Sequence, residues 1–241
     1  MTLEAVIFDV DGTLADTEEA HRQAFNVTFK EFGLSWHWDT ALYAELLAVA
    51  GGRERLAHYC HCIDPARLAA PDGQTFIARL HARKTQVYER RVAMGEVTAR
   101  PGVLRLIREL HAAGVRLAIA TTTSRSNVDV LLGTALAELP TNTFEVIGAG
   151  EQAIAKKPAS DVYCWVLDHL DLSAEGCLAI EDSQNGVRAA RGAGIPVLVT
   201  AGAWTRRDDF TGALTVLSDL QDVGVCDLIA WHARAGLRQA A

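Results

Sequence analysis

Two aspartates, Asp9 and Asp11, stand one residue apart where the first apolar run of the chain ends, in the stretch FDVDGT. A carboxylate is costly to bury beside a strand unless something compensates its charge. One aspartate of such a pair could attack phosphorus to form an aspartyl-phosphate, and the other could donate a proton and later accept one. The pair therefore favours phosphoryl-transfer chemistry, although Asp11-Gly12 alone is also typical of a plain turn.

Further polar residues stand near the ends of later apolar runs. In an open parallel α/β sheet, ligands bind outside the carboxyl ends of the strands, so we expect these residues to converge with Asp9 and Asp11. Clustered acids repel one another unless a cation lies between them, and Mg²⁺ prefers oxygen ligands of this kind. A lysine and a threonine hydroxyl would complete a cradle for a phosphoryl group. The residues are Thr121 to Ser124 in TTTS, Lys156 and Lys157 in KKP, and Glu181 and Asp182 in IEDS.

Each of these segments also has a plainer interpretation when it is taken singly. Thr121 and Ser124 could cap a helix, the Lys-Pro pair could be a solvated loop, and Glu181 could simply begin a helix. The plain interpretations do not account for all of the segments occurring in this order, each at a strand end. Their joint occurrence favours one site.

The elements that must position this site follow a regular pattern. Beyond residue 100, apolar runs such as RLAIA and CLAIE alternate with amphipathic segments such as PGVLRLIRELHAAG. Such alternation predicts βα units and a mostly parallel α/β sheet covered on both faces. Residues 17–92 keep the helical period and contain no strand-like run. We therefore expect an all-helical insert between the first strand and the rest of the sheet.

The composition excludes several classes of partner. The net charge of −7 argues against nucleic acid, which needs a basic surface. No run of 18 apolar residues or charged leader is present, so we expect no membrane span and no signal peptide. Five scattered cysteines fit a reducing compartment, and we expect a cytoplasmic protein, or a protein of the plastid stroma if a transit peptide has been removed. We predict no obligate protein partner.

Four segments, in order, resemble the motifs of the haloacid dehalogenase (HAD) superfamily. FDVDGT resembles the first motif, D-x-D-x-[TV], IATTTS the second, KKP the third and IEDSQNG the fourth. The resemblance implies a Rossmann-like parallel sheet with an all-helical C1-type cap domain after the first motif. Its catalytic core would be residues 1–16 and 93–241 and its cap residues 17–92, in agreement with the periodicity.

The resemblance also implies a metal site and two catalytic roles. Asp9 would be the nucleophile and Asp11 the general acid/base. Mg²⁺ would be held by the carboxylates of Asp9 and Asp182 and by the backbone carbonyl of Asp11, with Glu181 either a further ligand or a neighbouring acid. A halide leaves without a proton or a metal, so Asp11 and the acid pair count against dehalogenation.

For the phosphate group, the resemblance implies three ligands. Thr121 and the backbone amides that follow it, beginning at Thr122, would hold the phosphate oxygens. Lys157, directly before the proline, matches the lysine of the third motif. Lys156 would be its exposed neighbour.

Within the superfamily, ADTEEAH is similar to the signature of the β-phosphoglucomutase-like branch. Glu18 and His21 fall in this segment, and the residues at the positions of Thr17 and His21 help to time the acid/base in the mutases. Arg53 and Lys84 match cap positions, where cations suit a second phosphate on the substrate. The alternative for each is a solvated helix charge.

A narrower resemblance is to the CbbY-type phosphatases of the Calvin cycle, carried by HRQAFN, GGRER, ATTTS, KKPASD and GAWTRRDDF. It implies hydrolysis of xylulose 1,5-bisphosphate, a tight-binding inhibitor of Rubisco, to xylulose 5-phosphate and phosphate. The alternatives are a β-phosphoglucomutase-like isomerase and a non-catalytic sugar-phosphate-binding protein. The TTTS segment departs from that of the mutases and favours the hydrolase. The binding protein would be expected to lack an acid of the set, and none is missing.

Overall fold

A six-stranded sheet forms the centre of the computed structural model, which describes residues 2–239. All strand pairs are parallel, and the order across the sheet is β3-β2-β1-β4-β5-β6. The predicted parallel α/β sheet is thus confirmed, and the short edge strand β6 was not predicted. The strands are β1 (Ala5–Phe8), β2 (Arg116–Ala120), β3 (Val146–Gly148), β4 (Cys177–Glu181), β5 (Val197–Thr200) and β6 (Val216–Leu217).

Helices cover both faces of the sheet, which is why the central strands are apolar apart from Arg116 at the start of β2 and Glu181 at the end of β4. Side chains alternate along β1, so that Val6 and Phe8 belong to one buried cluster, whereas Ala5 and Ile7 belong to a second cluster on the opposite face. Of the described helices, none combines the length and the apolar character that crossing a membrane requires. The helices that follow the insert are α6 (Val103–Ala112), α7 (Arg125–Leu132), α8 (Asp161–Leu170), α9 (Gln184–Gly192) and α10 (Val225–Gln239).

A helical insert, residues 18–93, separates β1 from the rest of the sheet. Its helices pack around a buried cluster of their own, in which Phe25, Phe29, Trp38 and Tyr43 are fully buried. Because this cluster is distinct from those at the sheet, we propose that the helical insert is a domain of its own. Its helices are α1 (Glu18–Glu31), α2 (Thr40–Leu46), α3 (Gly52–Ile63), α4 (Pro65–Ala69) and α5 (Gly73–Ala93).

Candidate active site

The site lies at the carboxyl ends of three adjacent strands. Asp9 directly follows β1, Thr121 directly follows β2, and Asp182 directly follows β4. Because β2, β1 and β4 are neighbours and run parallel, their ends meet at one edge of the sheet. Side chains more than a hundred residues apart in sequence are thereby brought together.

Three acids form the centre of this site. Carboxylate oxygens of Asp9, Glu181 and Asp182 all lie within 4.8 Å of one another, and all three residues are buried. Burial, followed by repulsion from the neighbouring carboxylates, raises the pKa of Asp182 well above its ordinary value. Burial also raises the pKa of Asp9, although Lys157 opposes the shift. Oxygen donors that repel one another in this way suit a divalent cation.

Lys157 forms hydrogen bonds with two of these acids, Asp9 and Glu181. Its Nζ atom donates to Asp9 Oδ1 at 2.6 Å, to Glu181 Oε1 at 2.6 Å and to the carbonyl oxygen of Ala120 at 2.8 Å. Burial alone would lower the pKa of Lys157, but the two carboxylates outweigh it and raise the pKa above its ordinary value. The hydroxyl of Tyr163, on α8, also donates to Glu181 Oε1 at 2.6 Å. Lys157 is therefore a fixed positive charge beside Asp9.

Asp11 faces the helical insert instead of the acid cluster. Its Oδ1 atom accepts a hydrogen bond from the Thr17 hydroxyl at 2.6 Å and lies 3.1 Å from His21 Nε2. Lys84 Nζ lies 2.6 Å from His21 Nδ1, so that Lys84 donates to the imidazole and the imidazole donates to Asp11. Although burial would raise it, the pKa of Asp11 is lowered to about 2, mainly by His21 and then by Thr17.

Lys84 itself is only 4% exposed, with its Nζ atom over the rings of Phe25 and Tyr88. Burial lowers the pKa of Lys84 to about 7, despite the opposing charge of Asp11. The interpretation of Lys84 as a solvated helix charge is therefore wrong, because helix packing places it inside the protein. Arg53 has the opposite character, since it is exposed and borders the cavity described below.

The turn after β1 requires a glycine. Gly12 has a φ of +79°, and a Cβ atom added there would lie 2.3 Å from Asp182 Oδ2. The buried guanidinium of Arg100 donates to the carbonyl oxygen of Gly12 and, at 2.7 Å, to that of Thr200. Asp11-Gly12 is thus a turn, as its sequence suggests, and the turn also lets Asp182 approach Asp9.

The loop after β2 contributes hydroxyl groups. Thr122, Thr123 and Ser124 border the cavity, whereas Thr121 is buried and its hydroxyl accepts from the backbone N–H of Thr123 at 3.2 Å. Ser124 caps α7 by accepting from the N–H of Asn127. Ser124 therefore has the capping role that its sequence position allows. Thr121 stabilises the loop through its hydrogen bond with Thr123, and Thr122 in this loop borders the cavity.

A cavity of about 560 Å³ lies between the sheet edge and the helical insert. Two further residues, Lys156 and His81, also line it, and the sequence alone does not single out His81. Lys156 is half-buried, with Nζ donating to the carbonyl oxygen of Gly150 at 2.5 Å, so its interpretation as an exposed neighbour is wrong. Burial and the charges of Lys84 and Arg53 lower the pKa of His81 to about 4, which makes this imidazole neutral. The cavity is bordered by Asp9, Asp11, Lys157 and Asp182 from the core and by Glu18, His21, Arg53, His81 and Lys84 from the insert.

Comparisons with known proteins cover the core and the insert together. The family model of haloacid dehalogenase-like hydrolases matches residues 6–200. The chain is 53% identical over 221 residues to the plasmid form of protein CbbY from Cupriavidus necator, covering 91% of this chain and 87% of that protein. It is also similar to the crystal structure of CbbY from Rhodobacter sphaeroides in complex with phosphate, with a TM-score of 0.87, 43% identity and coverage of 94% of this chain and 99% of that one. A mutant of that CbbY in complex with xylulose 1,5-bisphosphate matches equally well.

Proposed function

Because the chain belongs to the haloacid dehalogenase-like hydrolase family and is a phosphatase, we propose that it hydrolyses xylulose 1,5-bisphosphate to xylulose 5-phosphate and phosphate, with Mg²⁺ as its cofactor. The observation that carries this proposal is the lining of the cavity. Lys157 stands beside Asp9 at the sheet, while Arg53 and Lys84 border the same cavity from the insert. Cations on both sides suit a substrate with two phosphates.

The relatives support the same substrate. CbbY from Rhodobacter sphaeroides, 43% identical to this chain, has been crystallised with phosphate and, as a mutant, with xylulose 1,5-bisphosphate. All five cysteines of the chain are free, which fits a reducing compartment, and we propose a cytoplasmic location. In such a setting the enzyme would relieve the inhibition of Rubisco by this bisphosphate.

The reaction follows from the two aspartates. A carboxylate oxygen of Asp9 attacks phosphorus, the bond from phosphorus to the sugar oxygen breaks, and Asp11 gives that oxygen its proton. Water then attacks the aspartyl-phosphate, Asp11 takes the proton, and the bond to Asp9 breaks. In the structure Thr17 and His21 hold Asp11 as a carboxylate, the form that the second step needs. The negative charge of an arriving phosphate raises the pKa of Asp11 and so favours the protonated form that the first step needs.

The remaining core residues hold the phosphoryl group and the metal. Lys157 neutralises charge beside Asp9, and the backbone amides after Thr121, beginning at Thr122, would donate to the phosphate oxygens. The carboxylates of Asp9 and Asp182 and the carbonyl oxygen of Asp11 would hold Mg²⁺. The ion supplies positive charge to the phosphoryl oxygens.

Glu181 is proposed as a neighbouring acid and not as a direct ligand. Its Oε1 atom accepts from both Lys157 and Tyr163, and its Oε2 atom lies against Gly186 of α9, where it leaves no room for a Cβ atom. In the insert, Arg53 and Lys84 would bind the second phosphate. Glu18 would act on the substrate indirectly, by holding Tyr43 in place, because its carboxylate accepts from the Tyr43 hydroxyl at 2.6 Å.

A substrate panel tests the proposal. The purified protein is incubated with Mg²⁺ and with xylulose 1,5-bisphosphate, β-glucose 1-phosphate or xylulose 5-phosphate, and phosphate release and sugar products are followed. Release from the bisphosphate, at a kcat/KM well above that for the monophosphates, supports the proposal. Interconversion of β-glucose 1- and 6-phosphates would instead identify a mutase, and binding without turnover a sugar-phosphate-binding protein.

The variant Asp9→Asn tests the covalent step. It keeps the shape of the side chain but removes the attacking carboxylate, so turnover should vanish while the thermal unfolding of the protein remains cooperative. Substantial residual turnover would exclude the aspartyl-phosphate.

A further inference from the structure

The loop between β5 and β6 contacts both the helical insert and the acid cluster. Trp204, in this loop, packs against the buried cluster of the insert, and its ring meets that of Tyr43 edge-on at a centroid distance of 5.4 Å and an interplanar angle of 87°. Tyr43 belongs to α2, within the insert. Trp204, a core residue that borders the cavity, thus forms an aromatic contact with the insert.

Thr205, the next residue, is buried and points toward the acids. Its hydroxyl oxygen accepts a hydrogen bond from the N–H of Gly202 at 3.1 Å, and the hydroxyl donates to Asp182 Oδ2 at 3.3 Å. Because the Gly202 N–H occupies the acceptor side of the oxygen, the hydroxyl proton is directed at the carboxylate. A second anchor ties the loop to the start of α9, where Asp208 accepts from the N–H of Gln184 at 2.9 Å.

We propose that Trp204 and Thr205 link the position of the helical insert to the metal-binding carboxylate, with Thr205 as a positioning residue for Asp182 and Trp204 as the contact that senses the insert. The inference rests on the proposed Mg²⁺ dependence. Neighbouring residues have Cα atoms only about 3.8 Å apart, so a shift of Trp204 moves Thr205 as well. The contact of the insert with Trp204 therefore helps to hold the Thr205 hydroxyl against Asp182.

Coupling of this kind is reciprocal. A sugar phosphate that touches both core and insert favours the arrangement in which Trp204 contacts Tyr43, and this arrangement in turn favours the oriented Asp182 and hence metal binding. Hydrogen bonds to metal-binding carboxylates commonly affect metal affinity by about 10–100-fold, although their donors never touch the ion. Thr205 is placed to have such an effect, and Trp204 to make the effect depend on the sugar.

The first experiment measures Mg²⁺ binding by calorimetry in the absence of sugar. Thr205→Val keeps the branched shape and removes the hydroxyl, and its Mg²⁺ affinity should fall by about tenfold. Thr205→Ser keeps the hydroxyl and should bind Mg²⁺ as the wild type does, which separates the hydrogen bond from packing. If Thr205→Val misfolds, Thr205→Ala serves with the same expectation. Equal affinities of the wild type and the hydroxyl-free variant would overturn the inference, whereas a wild type that binds no Mg²⁺ would overturn the proposed cofactor instead.

The second experiment repeats the titration with saturating xylulose 5-phosphate, the sugar product of the proposed reaction. The sugar should raise the Mg²⁺ affinity of the wild type by about fivefold, at the lower end of typical coupling factors. Trp204→Ala should lose this increase, and Trp204→Phe, which keeps an aromatic ring for Tyr43, should retain it. An increase that survives in Trp204→Ala would refute the link, while a wild type that does not bind the sugar would refute the proposed substrate.

Discussion

Replacing Lys157 by methionine should show how much the acid cluster depends on its buried cation. Methionine keeps an unbranched apolar stem of similar length and removes the ammonium group. In the wild type this group donates to Asp9 and Glu181 at 2.6 Å each, and the residue is 5% exposed. In the variant, Glu181 keeps the Tyr163 hydroxyl, while Asp9 loses the partner that offsets its charge.

The size of the effect follows from that loss. Removing one partner of a buried ion pair typically costs about 3–5 kcal/mol, because the other charge stays buried without compensation. A natural domain is stable by about 5–15 kcal/mol, so the variant should still fold but unfold much more easily. We therefore expect Lys157→Met to lower the free energy of unfolding by about 3–5 kcal/mol near pH 8. One lost charge stabilisation beside the phosphoryl group should also lower kcat by about 10²–10³-fold.

The cost should depend on pH with a defined sign. Burial already raises the pKa of Asp9, and loss of Lys157 removes the largest opposing influence. A folded-state pKa above the unfolded value means that the folded protein binds more protons than the unfolded chain, so lowering the pH stabilises the fold. The deficit of the variant should therefore shrink from about pH 8 to about pH 5, as the folded carboxyls take up protons.

Urea denaturation with EDTA present, at the two pH values, measures this deficit without interference from bound metal. The control is Lys156→Met, which removes the neighbouring ammonium group, half-buried and bonded to the carbonyl oxygen of Gly150. The control should lose only about 1 kcal/mol, the net value of a typical hydrogen bond, at either pH. If both variants lost the same amount, or if the deficit of Lys157→Met did not change with pH, the reasoning about charge compensation would be wrong.

Three further perturbations test other parts of the site. Because the pKa of Lys84 is about 7, the charged fraction of this lysine falls about tenfold between about pH 6 and about pH 8. KM for the bisphosphate should therefore rise by a similar factor over this range. Lys84→Met should make KM nearly independent of pH. Gly12→Ala places a Cβ atom 2.3 Å from Asp182 Oδ2 and should weaken Mg²⁺ binding at least about tenfold by calorimetry; unchanged binding would show that Asp182 is not a ligand. Thr17→Val removes a donor that lowers the pKa of Asp11. Because the second step needs Asp11 as a carboxylate, the acid limb of the kcat profile should move to higher pH, and an unmoved limb would assign it to another group.

The part of the site that the sequence predicts is the part determined by strand ends. Asp9, Thr121 and Asp182 each directly follow an apolar strand, and parallel strands place such residues at a common edge whatever the details of packing. Local sequence therefore suffices for their convergence. The helical period of the insert is equally local. It predicts helices and no strand over residues 17–92, where the structure has five helices.

The contacts that depend on tertiary packing are not visible in the sequence. Lys84 and His21 lie 63 residues apart on two different helices, and only the packing of α5 against α1 brings Nζ and Nδ1 within 2.6 Å. Tyr163 is one position of an amphipathic helix, and nothing in the local sequence indicates that its hydroxyl donates a hydrogen bond to Glu181. The loop that carries Thr205 has no periodicity to interpret, so its approach to Asp182 becomes apparent only from the three-dimensional arrangement.

Two buried lysines on the cavity show how the surroundings assign different roles to one side-chain type. Lys157 contacts two carboxylates, which outweigh its burial, and its charge is fixed. Lys84 contacts an imidazole and aromatic faces, which do not outweigh its burial. Its pKa of about 7 lets it lose its proton near neutrality. The fixed charge stands beside Asp9, the proposed nucleophile, where a substrate would place a phosphate. The titrating one is joined through His21 to Asp11. An anion that arrives at the insert stabilises the proton on Lys84, and the charge of Lys84 lowers the pKa of Asp11 and so favours the carboxylate that the proposed second step needs. Binding at the insert and proton transfer at the sheet are thus electrostatically coupled. Substrates whose second charged group does not reach Lys84 should therefore be hydrolysed more slowly, even when their phosphate binds at Asp9.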